Sequence, residues 1–187
     1  MCLDGKAPAI VHCVGRYAGD HRNCCARRSV GAKVNMDLVL RETLPADIEE
    51  LFSVRARTRE NPISKEGLAS IGITPESIAR EMASGRMKGW VCLDGSTLVG
   101  FCNGDGETGE VLVLAVLPDY ERRGIGTGLL SRVVEWLRSV SSNSIWLAAS
   151  PDARIRAHGF YRSLGWRPNG KKQQNGDEIL VLEQSTS

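Results

Sequence analysis

No apolar run in this 187-residue chain approaches the roughly 20 residues that a helix needs to cross a bilayer, so no helical membrane span is expected. An excess of charge of either sign is also missing. The chain holds 24 Lys and Arg against 22 Asp and Glu, a net charge of +2, which argues against nucleic acid or an anionic membrane surface as the main partner. Internal repeats and low-complexity tracts are absent, so solenoid and array architectures drop out. Six cysteines are present, but no two stand in a C-x-x-C unit. What remains, 42% hydrophobic and 25% charged residues, is ordinary for a globular protein, and the length suits one domain whose core needs no staples. A soluble, cytoplasmic protein is the expectation.

Charge and cysteine are unevenly spread. Residues 1–35 hold six Lys or Arg against two Asp, which leaves the remainder slightly acidic at eighteen against twenty. The same stretch carries Cys2, Cys13, Cys24, Cys25, His12 and His21 but no sustained strand or helix period, so it reads as an ill-ordered extension before a domain over 36–187. A zinc site from His12, Cys13, His21, Cys24 and Cys25 is the sharper alternative, weakened by the lack of metal-ligand spacing. The stretch has neither the apolar core of a secretory signal nor the composition of a transit peptide. Met36 stands directly before the first strand, which leaves a start there open. Cys92 and Cys102 fall in expected strands and read as small core residues.

The most informative stretch is 110–140. Val111 to Leu117 is a continuous apolar run suited to a strand buried on both faces. Arg122 to Gly128 then packs basic residues and glycines into one turn, and from Thr127 the residues Leu129, Leu130, Val133, Val134 and Leu137 recur at helical spacing. Strand, glycine-rich loop and helix in that order make an anion site, because a helix's first turn has unpaired N–H groups and the positive end of its dipole. Gly124, Gly126 and Gly128 let the backbone approach a pyrophosphate, with Arg122 and Arg123 beside it. A P-loop would need Lys and Ser or Thr where Leu129 and Leu130 stand, and a dinucleotide fingerprint lacks its spacing and its acidic residue.

The remaining elements follow from local signals. A first strand spans 37–41, and Pro45-Ala46-Asp47 starts a helix whose apolar face includes Ile48, Leu51, Phe52 and Val54, continuing to Arg55. Residues 57–73, punctuated by Asn61-Pro62, Gly67 and Gly72, read as a cover with a short helix near 65–70. Thr74-Pro75-Glu76 opens another helix that Gly85 closes. Strands are expected at 90–93, 97–103 and 111–117, with a loop over 104–109. A strand at 145–149, a helix over 151–164, and two last strands at Trp166 and 179–183, joined by a hairpin over 169–177, complete the chain.

Arg123, Gly126 and Gly128 form an R-x-x-G-x-G pattern that resembles the coenzyme A pyrophosphate loop of the GNAT superfamily of N-acetyltransferases. Phe160-Tyr161 with Gly165-Trp166 is similar to that superfamily's F-Y-x-x-x-G-[FW] segment. The resemblance implies an α/β (α+β) fold with a mixed, mainly antiparallel sheet of six to seven strands flanked by helices. It implies acetyl transfer from acetyl-CoA to an amine of a small molecule, peptide or protein by direct attack, with no metal. The cofactor would lie along Leu114, Ala115 and Val116 and against Arg122, Arg123, Gly124, Ile125, Gly126, Thr127 and Gly128. Tyr161 matches the tyrosine that in many members lies near the cofactor sulfur, which makes it the candidate acid toward the leaving thiolate; its alternative reading is packing of the helix against the sheet beside Phe160. Glu110 matches a glutamate general base of one branch, and its alternative reading is a solvated carboxylate at a strand start. Arg154 stands where many members have a cofactor-contacting Asn, and His158 alone supports no assignment. A homodimer stays open, as does a coenzyme A-binding sensor or interaction module without catalysis.

Overall fold

The computed structural model describes residues 38–60 and 62–182; the extension 1–35, its zinc alternative and a start at Met36 lie outside the described residues. The described chain builds one seven-stranded sheet from β1 (Leu38–Glu42), β2 (Met87–Asp94), β3 (Thr97–Asp105), β4 (Glu110–Val116), β5 (Trp146–Ala149), β6 (Trp166–Lys172) and β7 (Glu178–Leu182). The spatial order is β1-β2-β3-β4-β5-β7-β6, antiparallel except where β4 meets β5. Helices α1 (Ile48–Ala56), α2 (Lys65–Ala69), α3 (Pro75–Ala83), α4 (Ile125–Val140) and α5 (Arg156–Ser163) flank it. The mixed, mainly antiparallel α/β architecture expected from the sequence is the one that forms. Among the described residues no helix is long and apolar enough to cross a membrane.

Alternation along β3 separates the two faces. A Cβ at Gly104 would lie 2.7 Å from Val133 and 3.3 Å from Leu137, so its side of the sheet carries α4, whose close approach needs a glycine there. Phe101 and Asn103 point the other way, toward Leu51, Phe52 and Arg55 of α1. The core fills both layers, with Leu129, Val133 and Leu137 of α4 and Val91, Val99 and Leu180 of the sheet completely buried.

A β-bulge in β4 decides where its side chains go. Asn103 pairs with Val113, but its neighbour Gly104 pairs with Val111, so Leu112 is the extra residue. Paired residues share a face, so Asn103, Asp105, Val113 and Glu110 all point to the α1 side. Unbroken alternation would have set Glu110 beside Leu114 under α4.

Several expected boundaries move for local reasons. β3 continues through Gly104 to Asp105 instead of ending at 103, because those residues pair with β4. α4 begins at Ile125 rather than Thr127, with Gly124 as its N-cap. The helix expected over 151–164 is only Arg156–Ser163. Asp152 wins the preceding segment for a turn, its Oδ1 accepting from the Arg154 amide at 2.9 Å and its carbonyl from the Ile155 amide at 3.0 Å. β6 runs on to Lys172 through a register shift, so the hairpin loop is shorter than 169–177.

Candidate active site

The loop after β4 presents backbone donors to one place. Gly124 adopts φ 77, a left-handed conformation suited to glycine, and accepts the Gly128 amide at 3.0 Å. No side chain caps α4, so the amides of Ile125, Gly126 and Thr127 have no acceptor within the helix. Arg122 is the one non-glycine with positive φ among the described residues, at 61°, a strain of about 1–3 kcal/mol held by the surrounding turn.

β4 and β5 share one registered pair, Glu110 opposite Trp146, and then part. The opening is a cavity of about 610 Å3. Val113, Leu114, Ala115 and Val116 of β4 form one wall, and Arg122, Gly124, Gly126 and Thr127 line it at the loop. Phe160 and Tyr161 of α5 face them; a Cβ at Gly126 would sit 3.5 Å from the Phe160 ring and 3.8 Å from Leu114. The other loop residues singled out in the sequence lie elsewhere. Arg123 stacks on the Tyr120 ring, 5.0 Å from its centroid, Ile125 is buried in the core, and Gly128 faces Leu40 of β1.

Tyr161 is 6% exposed, its ring edge-on to Phe160 at 5.2 Å and to Trp166 at 6.2 Å. Its hydroxyl makes no hydrogen bond among the described residues. Burial pushes the phenol well above its ordinary range, and the nearby Arg55 guanidinium opposes part of that rise. Arg55, at the end of α1, is itself buried, donates to Thr58 Oγ1 at 3.3 Å, and is lowered to about 10 by desolvation.

Glu110 is not the solvated carboxylate that its place at a strand start suggested; it is 6% exposed. Burial, with a smaller contribution from Asp105, raises it to about 7. It does not line the large cavity, whose β4 wall begins at Val113, roughly 10 Å along the strand.

A segment after α1 is tied across the opening. Glu60 accepts the backbone amides of Arg156 at 2.9 Å and Ala157 at 3.4 Å, placing a carboxylate at the start of α5. Glu121, just before the loop, pairs with Arg59 at 3.3 Å and with Arg156. Arg154 pairs with Asp152 at 2.6 Å and points outward, away from the cavity. The sequence reading missed Arg55, Glu60, Glu121 and Arg156 as wall residues. Arg55 alone left a signal, a cation four residues after Leu51 on an apolar helix face. Among the described residues no cluster of His, Cys, Asp or Glu is disposed to hold a metal.

No curated protein sequence matches this chain. Solved structures share its fold. The PaiA N-acetyltransferase from Thermoplasma acidophilum, in complex with coenzyme A, is similar with a TM-score of 0.64 at 20% identity, over 80% of this chain and 100% of that one. The ribosomal-protein-S18-alanine N-acetyltransferase from Escherichia coli gives 0.55 at 18% identity, over 77% and 90%. An acetyltransferase of the GNAT family from Staphylococcus aureus Mu50 gives 0.61 at 19% identity, over 78% and 98%. Residues 50–166 match the acetyltransferase (GNAT) family, and with its splayed β4 and β5 and its uncapped loop-helix junction the chain belongs to that family.

Proposed function

We propose that this protein transfers an acetyl group from acetyl-CoA to an amine by direct attack, without a covalent enzyme intermediate. The observation that carries this reading is one cleft holding the uncapped amides near Gly124 and a buried tyrosine against the same strand. The chain's residues fit the cofactor. The N–H groups of Ile125, Gly126 and Thr127, with Arg122, would hold the pyrophosphate, and the β4 edge from Val113 to Val116 would take the extended arm through backbone bonds. When bound, acetyl-CoA supplies an activated thioester carbonyl.

A new C–N bond then forms as the C–S bond breaks; the amine loses a proton and the thiolate gains one. Tyr161 holds its proton at neutral pH because burial disfavours the phenolate, which suits it to protonate the departing sulfur. Glu110 suits the base role, since a carboxyl near 7 can both accept and release a proton at neutral pH. Its distance from Val113 calls for water between it and the amine. β4 fixes the reacting carbonyl, and the 57–60 segment tied to α5 limits access of bulk water.

Mixing the protein with acetyl-CoA and a panel of amines, and following free thiol, tests this. Release that requires both substrates supports it. Calorimetric binding of acetyl-CoA with no amine consumed would leave a coenzyme A-binding sensor instead.

A further inference from the structure

Asn103 of β3 is 5% exposed, and its Oδ1 is buried without a hydrogen-bond partner among the described residues. Such groups are rare, because a buried amide that makes no bond gives up its bonds to water for nothing in return. The neighbouring strand makes room for it. A Cβ at Gly89, the residue of β2 paired with Asn103, would stand 2.0 Å from that Oδ1, so a glycine is needed there.

The Asn103 side chain lines a second cavity, of about 40 Å3, between α1, α3 and the sheet. Its walls are otherwise mainly apolar, with Leu68, Ile73, Ile78 and Phe101 among them. Val113 lines the large cavity as well, so the two adjoin at the Val113 end of the cleft. On the acetyl-transfer reading, pyrophosphate belongs to the amides of Ile125, Gly126 and Thr127 at the other end. A group that enters beside Val113 is therefore part of the acceptor.

The wall selects that group by size and by hydrogen bonding. A water needs roughly 10–15 Å3 of such space, so the cavity takes about three groups of that size, the bulk of a hydroxyethyl branch. No carboxylate among the described residues lines it to pair with a cation. An amide presents a donor at one end and an acceptor at the other. A hydroxyl, which both donates and accepts, satisfies either end.

We propose that the smaller cavity is a specificity pocket, and that the acceptor is a primary amine whose neighbouring carbon bears a short hydroxyl-bearing branch, as in threonine or serine. The hydroxyl bonds to the Asn103 amide, the branch packs on the apolar wall, and the amine stays in the large cavity near Val113. The proposal rests on the acetyl-transfer reading and narrows it. Asn103 sets specificity and takes no part in the chemistry.

L-Threoninamide and L-valinamide differ by a hydroxyl in place of a methyl at nearly equal volume, so the pair reads this one bond. Calorimetry with coenzyme A present should show threoninamide bound at least tenfold more tightly. Asn103→Leu should reverse that order while the melting temperature holds or rises, because the variant removes a buried amide that lacks a partner. Should that variant fail to fold, Ile73→Phe at the half-buried rim of the smaller cavity should weaken threoninamide at least tenfold and spare glycinamide. Equal affinity of wild-type protein for threoninamide and valinamide, or binding of neither, overturns the proposal. An Asn103→Leu variant that keeps the threoninamide preference, or weakens both amides alike as its melting temperature falls, also overturns it and makes Asn103 a structural residue. Threoninamide that is preferred through Asn103 but releases no thiol from acetyl-CoA sinks the acetyl-transfer reading alone.

Discussion

The cleft's two ends are built by opposite means. At the loop end, a run of neighbours, Arg122 to Thr127, contributes backbone amides and one strained turn, and the side chains matter mainly by being small. At the Tyr161 end, Arg55, Val113 and Tyr161 come from α1, β4 and α5 and line the cleft with buried side chains. Phosphate needs donors at close quarters, which one helix start supplies. An acceptor amine needs charge, shape and proton transfer from several directions, which no single element can present. The loop end should therefore be sensitive to bulk, and the other end to the removal of single functional groups.

The largest effect is expected at Gly126. Alanine fits there, since a Cβ meets Phe160 at an ordinary 3.5 Å, but leucine would fill the cleft between Phe160 and Leu114. Gly126→Leu should weaken acetyl-CoA binding by about 10³-fold, or roughly 4 kcal/mol, with the fold retained. Full affinity by calorimetry in that variant would remove the loop as the phosphate site.

Glu110 gives the next effect, and its sign is definite. Its carboxyl sits near 7 in the folded protein against an ordinary 4.5, so between those values the folded state binds more protons than the unfolded one. Stability should fall as pH rises from 4.5 through 7, by up to about 3 kcal/mol. Glu110→Gln should flatten that dependence in urea titrations at pH 5 and pH 8. The rate should move the opposite way, rising through pH 7 as the base ionises and losing that limb in Glu110→Gln. A stability slope with the same steepness in both proteins would show that another group titrates.

Tyr161→Phe separates chemistry from packing. The ring and its burial remain, and the hydroxyl has no hydrogen bond among the described residues to lose, so the melting temperature should hold or rise. Activity should not hold. A general acid removed from the cleft should cost kcat roughly 10²-fold, or about 2.7 kcal/mol, with the KM for acetyl-CoA little changed. An acyl donor with a more acidic thiol should recover part of the loss. Unchanged kcat would return Tyr161 to the core and leave water as the acid.

The smallest effect is at Glu60, which is exposed. Glu60→Gln keeps an acceptor for the Arg156 amide but removes the charge at the start of α5, a change of at most about 1 kcal/mol. Denaturation at low and high salt should show the difference shrinking as salt rises. A salt-independent difference would point to packing of the 57–60 segment instead.

Strand, loop and helix at 110–140 could be read from the chain because each signal is local: an apolar run, three glycines with two arginines, then helical spacing. Backbone amides at a helix start need no distant partner, so a short stretch specifies their position. The F-Y-x-x-x-G-W segment was equally visible, although Asp152 took the first turns of its expected helix for a local turn. The face that Glu110 occupies depended on the single extra residue at Leu112, which shows only when β3 and β4 are paired. Arg55 became part of a cavity wall only when α1 was laid on the Asn103 and Val113 side of the sheet. Sequence alone thus determined the family, the order of elements and the loop end of the cleft. Tertiary packing decided the Tyr161 end, because burial, shifted acidity and the meeting of side chains far apart in the chain do not exist until the sheet registers and the helices close over it.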